Sequence, residues 1–275
     1  MQDPQFEFMR QFLLQQSGLV VEQSKMYLLR TRLQPLVREH DLCDLNALAD
    51  KIKMQRNGDL ATQVVDAMTT NETLFFRDQY PFNALRDVML PECMANNGSA
   101  IRIWSAASST GQEAYSIAMT VAEALPGSAK RVHIVGTDIS EQVLQKAASG
   151  QYSQIEVQRG MPARLLIKYF EQDANNWSLK PDIRNMVNFK PANLVSPGLA
   201  ADMRSNGPFD IVFCRNVLIY FAVDARMEVI DNLARCMREG AFLVTGAAEI
   251  PRGRQSEWKA VQVGNRNLWR LLKKP

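Results

Sequence analysis

The stretch Ile101-Arg102-Ile103-Trp104-Ser105-Ala106-Ala107-Ser108-Ser109-Thr110-Gly111-Gln112-Glu113 constrains the fold more than any other part of the chain. It reads as a buried strand, a run of small residues, and a helix that begins near Gly111. Small side chains let the main chain approach a ligand, and a helix N-terminus offers unpaired N–H groups. A second apolar run, Val132 to Thr137, ends in Asp138, where an acid commonly binds a ribose hydroxyl pair. An adenosine-containing cofactor is the expectation. From about residue 100 the pattern repeats: strand 101–104 and helix 113–125, strand 132–136 and helix 140–148. Strand 209–214, a helix near 224–238 and strand 241–244 continue it. Continuous apolar strands separated by helices predict a parallel sheet covered on both faces.

Residues 1 to about 70 carry almost no strand signal. Phe6, Met9, Phe12 and Leu13 recur at helical spacing. A second helix is expected from Ser24, read as its N-cap, to about His40, with Pro35 bending it. Asp44 is read as the cap of a third helix, and a fourth covers Leu60 to Met68. Between about 150 and 190 the strand–helix alternation is interrupted. One helical stretch, 162–170, and short strands near 177–179 and 186–189 suggest a small insertion suited to binding a partner. The last two strands, 258–263 and 267–272, form an antiparallel pair, the usual end of a class I methyltransferase sheet.

Composition narrows the chemistry. A net charge of +3 on 275 residues is too weak to indicate nucleic acid. Cys43, Cys93, Cys214 and Cys236 form no CxxC pair, which speaks against zinc or a disulfide framework and for reduced thiols in a cytoplasmic protein. No apolar run approaches the roughly 18 residues that span a bilayer. The start, MQDPQFEFMR, does not read as a signal peptide. Nothing signals an oligomer, so a monomer is expected.

The turn SAASSTG lacks the GxGxxG glycines that a dinucleotide pyrophosphate requires. S-adenosylmethionine, which has no phosphate, tolerates such a turn; an ordinary strand-to-helix loop is the bland alternative. Glu113, in the first helical turn, either favours the helix dipole or pairs with a ligand ammonium. Asp138 either binds a ribose or caps the next helix. In Asn71-Glu72-Thr73-Leu74-Phe75-Phe76-Arg77-Asp78 the polar Asn71, Thr73 and Arg77 accompany three large apolar residues. This is either an anchored linker or a site in which Arg77 clamps a carboxylate. Arg215 and Asn216 follow a buried strand, at the end where open parallel sheets bind ligands, and Tyr220 lies nearby in sequence. Asn193 and Leu194 follow another strand, where an amide reads an adenine edge or makes a turn. Lys25, Arg30, Arg32 and Arg38 stand on the second helix, although residues 1–77 as a whole carry nine Lys and Arg against ten Asp and Glu. They form a local stripe, either a solvated face or a docking surface for an acidic helix.

Taken together, NETLFFRD, IRIWSAASSTGQEAYSIAM, GTDIS, NL and FCRNVLIYF resemble, in order and over almost the whole chain, the CheR family of chemotaxis receptor methyltransferases. The resemblance implies an all-helical N-terminal domain, residues 1–77 with its linker. It also implies an α/β, Rossmann-like class I methyltransferase domain, 78–275, with a small inserted β subdomain at about 150–190. It implies transfer of a methyl group from S-adenosylmethionine, leaving S-adenosylhomocysteine, to glutamate side chains on the cytoplasmic helices of chemoreceptors. Carried over by position, it places Asn71, Thr73, Arg77, Glu113, Asp138, Asn193, Leu194, Arg215 and Asn216 at the cofactor. Tyr220 and Arg77 fall at the transferred methyl and the substrate carboxylate, and Arg30, Arg32 and Arg38 at the receptor. A second family arginine has no clear counterpart; Arg86 is one candidate. A receptor tail on the β subdomain is a further partner, and recruitment to membrane receptor arrays would follow. A cofactor-binding adaptor with weak turnover is the alternative. A base-methylating enzyme is disfavoured because Cys-Arg-Asn-Val stands where an Asn/Asp-Pro-Pro-aromatic run would be expected.

Overall fold

A computed structural model describes residues 3–96, 100–174, 176–247, 249 and 256–275. The chain divides into a helical unit, residues 1–70 with 220–226, and a sheet unit, 71–219 with 227–275.

In the helical unit, α1 (Asp3–Ser17), α2 (Met26–Glu39), α3 (Leu45–Met54) and α4 (Asp59–Met68) bury one stripe each. Met9 and Leu13 of α1, Leu29 and Leu33 of α2, Leu48 of α3 and Val64 of α4 are wholly buried, at the i, i+3 and i+4 spacings that put them on one face. Asp44 caps α3, its carboxylate accepting the Asn46 and Ala47 N–H groups at 2.8 Å. Ser24 does not cap α2. A 3₁₀ turn, Gln23–Lys25, precedes that helix, and the Ser24 hydroxyl donates to Glu22 instead. Residues 220–226 return to this unit: Leu19 and Phe221 form an antiparallel bridge, and Val20 N–H donates to the Tyr220 carbonyl at 3.1 Å.

The sheet unit opens with helical residues the pattern had not suggested. These are α5 (Tyr80–Ala84), a π-helical turn Leu85–Met89, and α6 (Leu90–Asn96). Pro91 has no N–H to offer the carbonyl of Asp87, so the wide turn sits where the ordinary ladder is already broken. Next come β1 (Ile101–Ala106), α7 (Gln112–Ala124), β2 (Val132–Asp138) and α8 (Glu141–Ser149). The small insertion contains β3 (Gln151–Ser153), α9 (Gln154–Gln158), α10 (Ala163–Tyr169), β4 (Phe170–Asp173), β5 (Asn176–Leu179) and α11 (Pro181–Arg184). After β6 (Val187–Pro191) and α12 (Leu199–Asp202) follow β7 (Phe209–Cys214), α13 (Val223–Cys236), β8 (Met237–Thr245), β9 (Trp258–Val263) and β10 (Arg266–Leu271).

The large sheet runs β6-β2-β1-β7-β8-β10-β9. β6, β2, β1, β7 and β8 are parallel, and β10 and β9 close the edge antiparallel. Every residue of β7 is buried, as expected of a central strand covered on both faces. The insertion forms its own sheet, β3-β5-β4, which ends at Leu179. The strand near 186–189 belongs elsewhere: β6 pairs with β2 from Ile134↔Val187 to Asp138↔Pro191. It is an edge strand and half exposed, so its apolar residues are diluted by Asn188 and Lys190 and hide its membership in the large sheet.

An ion cluster ties α10 to α7. Glu123 accepts from Lys168 Nζ at 2.5 Å and from the Tyr169 hydroxyl at 2.6 Å, and Arg164 lies 2.6 Å from its other oxygen. Lys168 first, then Tyr169 and Arg164, hold the carboxyl down at about 2 against an ordinary 4.5. A lowered folded value means the stabilisation is present above pH 4.5 and is lost as pH falls toward 2. Glu123→Gln should therefore be less stable than wild type to urea at pH 7, with the gap closing as the pH is lowered toward 2.

Candidate active site

The carboxyl ends of β6, β2, β1 and β7 lie at one edge of the large sheet, and the loops there are tied to one another. Ser108 N–H donates to the Thr137 carbonyl at 2.8 Å, and Ser109 N–H to Asp138 Oδ2 at 2.8 Å. The Ser109 hydroxyl donates to the Asn71 carbonyl at 2.9 Å, and Ala192 N–H to the Asp138 carbonyl at 2.9 Å. Small residues are required because the main chain turns sharply: Ala107 (φ 60°) and Ser109 (φ 51°) are left-handed, as is Gly111 (φ 92°). A Cβ on Gly111 would also lie 2.9 Å from Ala147 Cβ. Tyr152 of the small sheet donates its hydroxyl to the Thr110 carbonyl at 2.8 Å and packs edge-on to Phe75 at 4.9 Å.

Asp138 is 7% exposed and accepts N–H groups from Ser109 and, at 3.1 Å, Ser140. Burial pushes its carboxyl up, against the pull of the Ser140, Ser109 and Ile139 N–H groups. The cap of α8 is Ser140, so Asp138 is not spent on that task.

The charged centre lies between β1 and β7. Arg215 donates from Nη1 to Glu113 Oε2 at 2.9 Å and from Nη2 to Asp78 Oδ2 at 2.7 Å and the Arg77 carbonyl at 3.0 Å. Glu113 Oε1 accepts from the Ser105 hydroxyl at 2.8 Å. Arg215 and Glu113 are buried and the Asp78 side chain is exposed; two carboxylates against one guanidinium leave a net negative charge, which favours a cationic ligand group beside the buried Glu113.

Of the nine residues expected at the cofactor, Asn71, Arg77, Glu113, Asp138 and Arg215 are tied together at this edge of the sheet unit. Asn71 is tied to the β1 loop, Arg77 to Arg215, and Asn193 and Leu194 follow β6. The Arg77 guanidinium makes one long contact of its own, 3.4 Å to the Glu72 carbonyl. Thr73 is half-buried in the same segment. Asn193 accepts the Val195 N–H at 3.2 Å, and Asn232 holds the Leu194 carbonyl at 3.0 Å. Asn216 stands directly after Arg215 in the left-handed region (φ 59°).

Tyr220 ends the 3₁₀ turn Leu218–Tyr220 and belongs to the helical unit. Arg30 and Arg38 of α2 are exposed on one helix face, two turns apart. Arg32 has other work: it donates to the carbonyls of Met68 at 2.7 Å and Thr69 at 2.9 Å and to the Thr70 hydroxyl at 3.2 Å, closing the C-terminal end of α4. Arg86 forks onto Asp87 at 2.7 Å on an exposed helical turn.

One buried acid escaped the sequence reading. Glu249 is 5% exposed and accepts N–H groups from Gly246 at 2.7 Å, Asn216 at 2.8 Å and Ile219 at 3.3 Å. A Cβ on Gly246 would lie 2.5 Å from Glu249 Oε2, so only glycine admits the carboxylate. Glu249 thereby fixes the loop that carries Arg215 and Asn216. No thiol competes as a nucleophile here: burial pushes Cys214 well above its ordinary range and Cys93 to about 12. Among the described residues no cluster of metal ligands occurs, and no helix is long and apolar enough to cross a membrane.

Comparison with known proteins decides the family. Residues 71–265 match the CheR methyltransferase, SAM binding domain, and residues 4–69 match the CheR methyltransferase, all-alpha domain. The chain belongs to the CheR methyltransferase family. It is 40% identical over 273 residues to chemotaxis protein methyltransferase 1 of Vibrio cholerae, covering 98% of this chain and 97% of the relative. It is 40% identical over 263 residues to chemotaxis protein methyltransferase 1 of Pseudomonas aeruginosa, covering 94% of each. The chemotaxis protein methyltransferase of Escherichia coli is 32% identical over 251 residues, 90% of this chain and 84% of the relative.

As a CheR protein it is a methyltransferase with an α/β sheet unit that takes S-adenosylmethionine. The donor set fits that cofactor. The net negative Glu113–Arg215–Asp78 cluster suits the ammonium group of its amino acid end, Asp138 presents a carboxylate suited to ribose hydroxyls, and the glycine-poor turn has no pyrophosphate to accommodate.

Proposed function

We propose that this protein transfers the methyl group of S-adenosylmethionine to glutamate side chains of chemoreceptors, forming glutamyl methyl esters. The likeness to chemotaxis protein methyltransferases over 98% of the chain carries the reading. The chemistry of the edge supports it. Bound S-adenosylmethionine supplies an electrophilic methyl on a sulfonium. Glu113 would hold its amino group and Asp138 its ribose, with Asn71, Thr73, Asn193, Leu194 and Asn216 around it. A glutamate with a pKa near 4.3 is already anionic at neutral pH, so the site needs no general base. A site without a reactive thiol agrees with that. The work left to the protein is alignment, which supplies rate through proximity and orientation. By the resemblance, Arg77 and Tyr220 are the residues assigned to the reacting methyl. The test is transfer of radiolabelled methyl from S-adenosylmethionine to a purified receptor cytoplasmic fragment. Label released as methanol by mild alkali is expected; alkali-stable label, or none, rules the ester out.

The reading implies receptor helices with acidic faces, and the exposed Arg30 and Arg38 of α2 are the charges suited to meet one. Because Arg32 is occupied in closing α4, the charge reversal that isolates docking is Arg30→Glu with Arg38→Glu. Rim charges act chiefly on encounter rate. The double variant should methylate receptor about tenfold more slowly at low salt, converge on wild type as salt rises, and keep its cofactor affinity. A rate unchanged at low salt would remove this face from the docking surface.

A further inference from the structure

A cavity of about 290 Å³ opens beside the charged centre, on the side away from Asp138, and Asp78, Tyr80, Arg215, Arg266, Asn267 and Trp269 line it. The topology explains its place. Asp138 ends β2, and Arg215 follows β7 two strands along the sheet. Arg266 begins β10 beyond the end of β8. The cavity therefore lies past the amino acid end expected of the cofactor, where a second reactant must approach.

Its polar groups are incompletely satisfied in a consistent way. Among the described residues the buried Tyr80 hydroxyl has no hydrogen-bond partner, and neither does Arg215 Nε. The Tyr80 side chain is aimed by a strained turn: Phe76 (φ 49°), Asp78 (φ 68°) and Gln79 (φ 47°) are all left-handed without being glycine. Arg266 is exposed and makes no ion pair or side-chain hydrogen bond among the described residues. Burial pushes the Tyr80 hydroxyl up, against the pull of Arg266 and Arg215, so it keeps its proton as a donor. Asp78 also lines the cavity, but its carboxylate is paired with Arg215 at 2.7 Å; the groups left to bind are a buried hydroxyl donor and an unpaired guanidinium, which ask for an anionic acceptor, and a planar carboxylate matches the fork of an arginine.

We propose that this cavity seats the carboxylate of the glutamate to be methylated, with Arg266 and the Tyr80 hydroxyl as its donors. This rests on the proposed function and adds to it the residues that recognise the substrate side chain. A donor set of one exposed arginine and one phenol orients a carboxylate without sealing it in a buried ion pair, so its nucleophilicity is retained. The volume admits one side chain and leaves the rest of a receptor helix outside.

The experiment is steady-state methylation of a purified chemoreceptor cytoplasmic fragment by wild type, Arg266→Ala, Arg266→Lys and Tyr80→Phe. Calorimetric titration of each with S-adenosylhomocysteine accompanies it. Expected are a rise in receptor KM of about fivefold or more for Arg266→Ala and Tyr80→Phe, partial recovery in Arg266→Lys, and cofactor affinity within twofold of wild type. Unchanged receptor kinetics in both variants would overturn the seat. So would a loss of S-adenosylhomocysteine affinity matching the kinetic loss, because the cavity would then take the cofactor's own carboxylate. If wild type itself transfers no methyl to receptor, the proposed function fails and not merely this cavity.

Discussion

Asp138→Ala should bind S-adenosylmethionine and S-adenosylhomocysteine at least a hundredfold more weakly than wild type. The carboxylate stands at the end of β2 with only 7% of the residue exposed, and its N–H partners are the backbone of Ser109, Ser140 and Ile139. These main-chain donors still leave acceptor capacity on the carboxylate, since an ionised carboxyl offers about four lone-pair sites and each oxygen can accept more than one bond. Hydrogen bonds to a charged group contribute about 1.5–3 kcal/mol each, so loss of two ligand hydroxyls amounts to roughly two or more decades in affinity. Alanine also frees the Ser109 N–H, whose residue is left-handed and whose hydroxyl holds Asn71, so the first loop loses an anchor. Asp138→Asn separates these effects: its amide oxygen can still accept one N–H, so the loop should hold while ligand affinity falls by an intermediate amount. Calorimetric titration measures both. An alanine variant that folds and binds either compound within about threefold of wild type would show that Asp138 only organises the turn.

The sheet was legible where residues are buried on both faces, because such strands advertise themselves without reference to their neighbours. β7 matches its expected bounds, Phe209–Cys214, since all six residues are buried. β6 did not declare its place, because an edge strand half in water carries Asn188 and Lys190 among its apolar residues. The Asp44 cap was readable from local chemistry; Ser24 was not a cap, because the 3₁₀ turn ahead of α2 moved the helix start past it. At the site, residue types were readable but their partnerships were not. Arg215 and Glu113 are 102 positions apart and meet only because β1 and β7 are neighbours. The sequence likewise gave no sign that Arg32 would be drawn to the end of α4, 36 positions away. Among the described residues, left-handed non-glycine residues at 76, 78, 79, 107, 109 and 216 fall in the segments that form this edge of the sheet unit, while Asp41 and Ala174 lie elsewhere. Such strain is concentrated where a site must be held in a particular shape, and non-glycine residues give no compositional warning of it.

Glu249→Ala should be the variant that unfolds the site from behind. Its carboxylate gathers the Gly246, Asn216 and Ile219 N–H groups, and alanine leaves three donors without their acceptor in a largely buried place. Each stranded donor costs about 1–3 kcal/mol, and water entering the gap recovers part of it. A net loss of roughly 3 kcal/mol is expected, which in a chain of this size lowers the melting temperature by roughly 6–12 °C. The functional consequence runs through Asn216. Its left-handed conformation is unfavourable for a residue with a side chain, and the N–H bond to Glu249 is one of the interactions that holds it. Released, the loop no longer fixes the guanidinium of Arg215 between Glu113 and Asp78, and both carboxylates lose their common partner. Cofactor affinity should then fall by more than tenfold at a temperature where the variant is still folded. Glu249→Gln retains one oxygen acceptor and brings an amide donor toward main-chain N–H groups, so it should recover stability in part and affinity in part. Calorimetric affinities and melting curves for the pair, measured together, test the coupling: an alanine variant that melts early but binds S-adenosylhomocysteine like wild type would confine Glu249 to stability and release the Arg215 loop from its control.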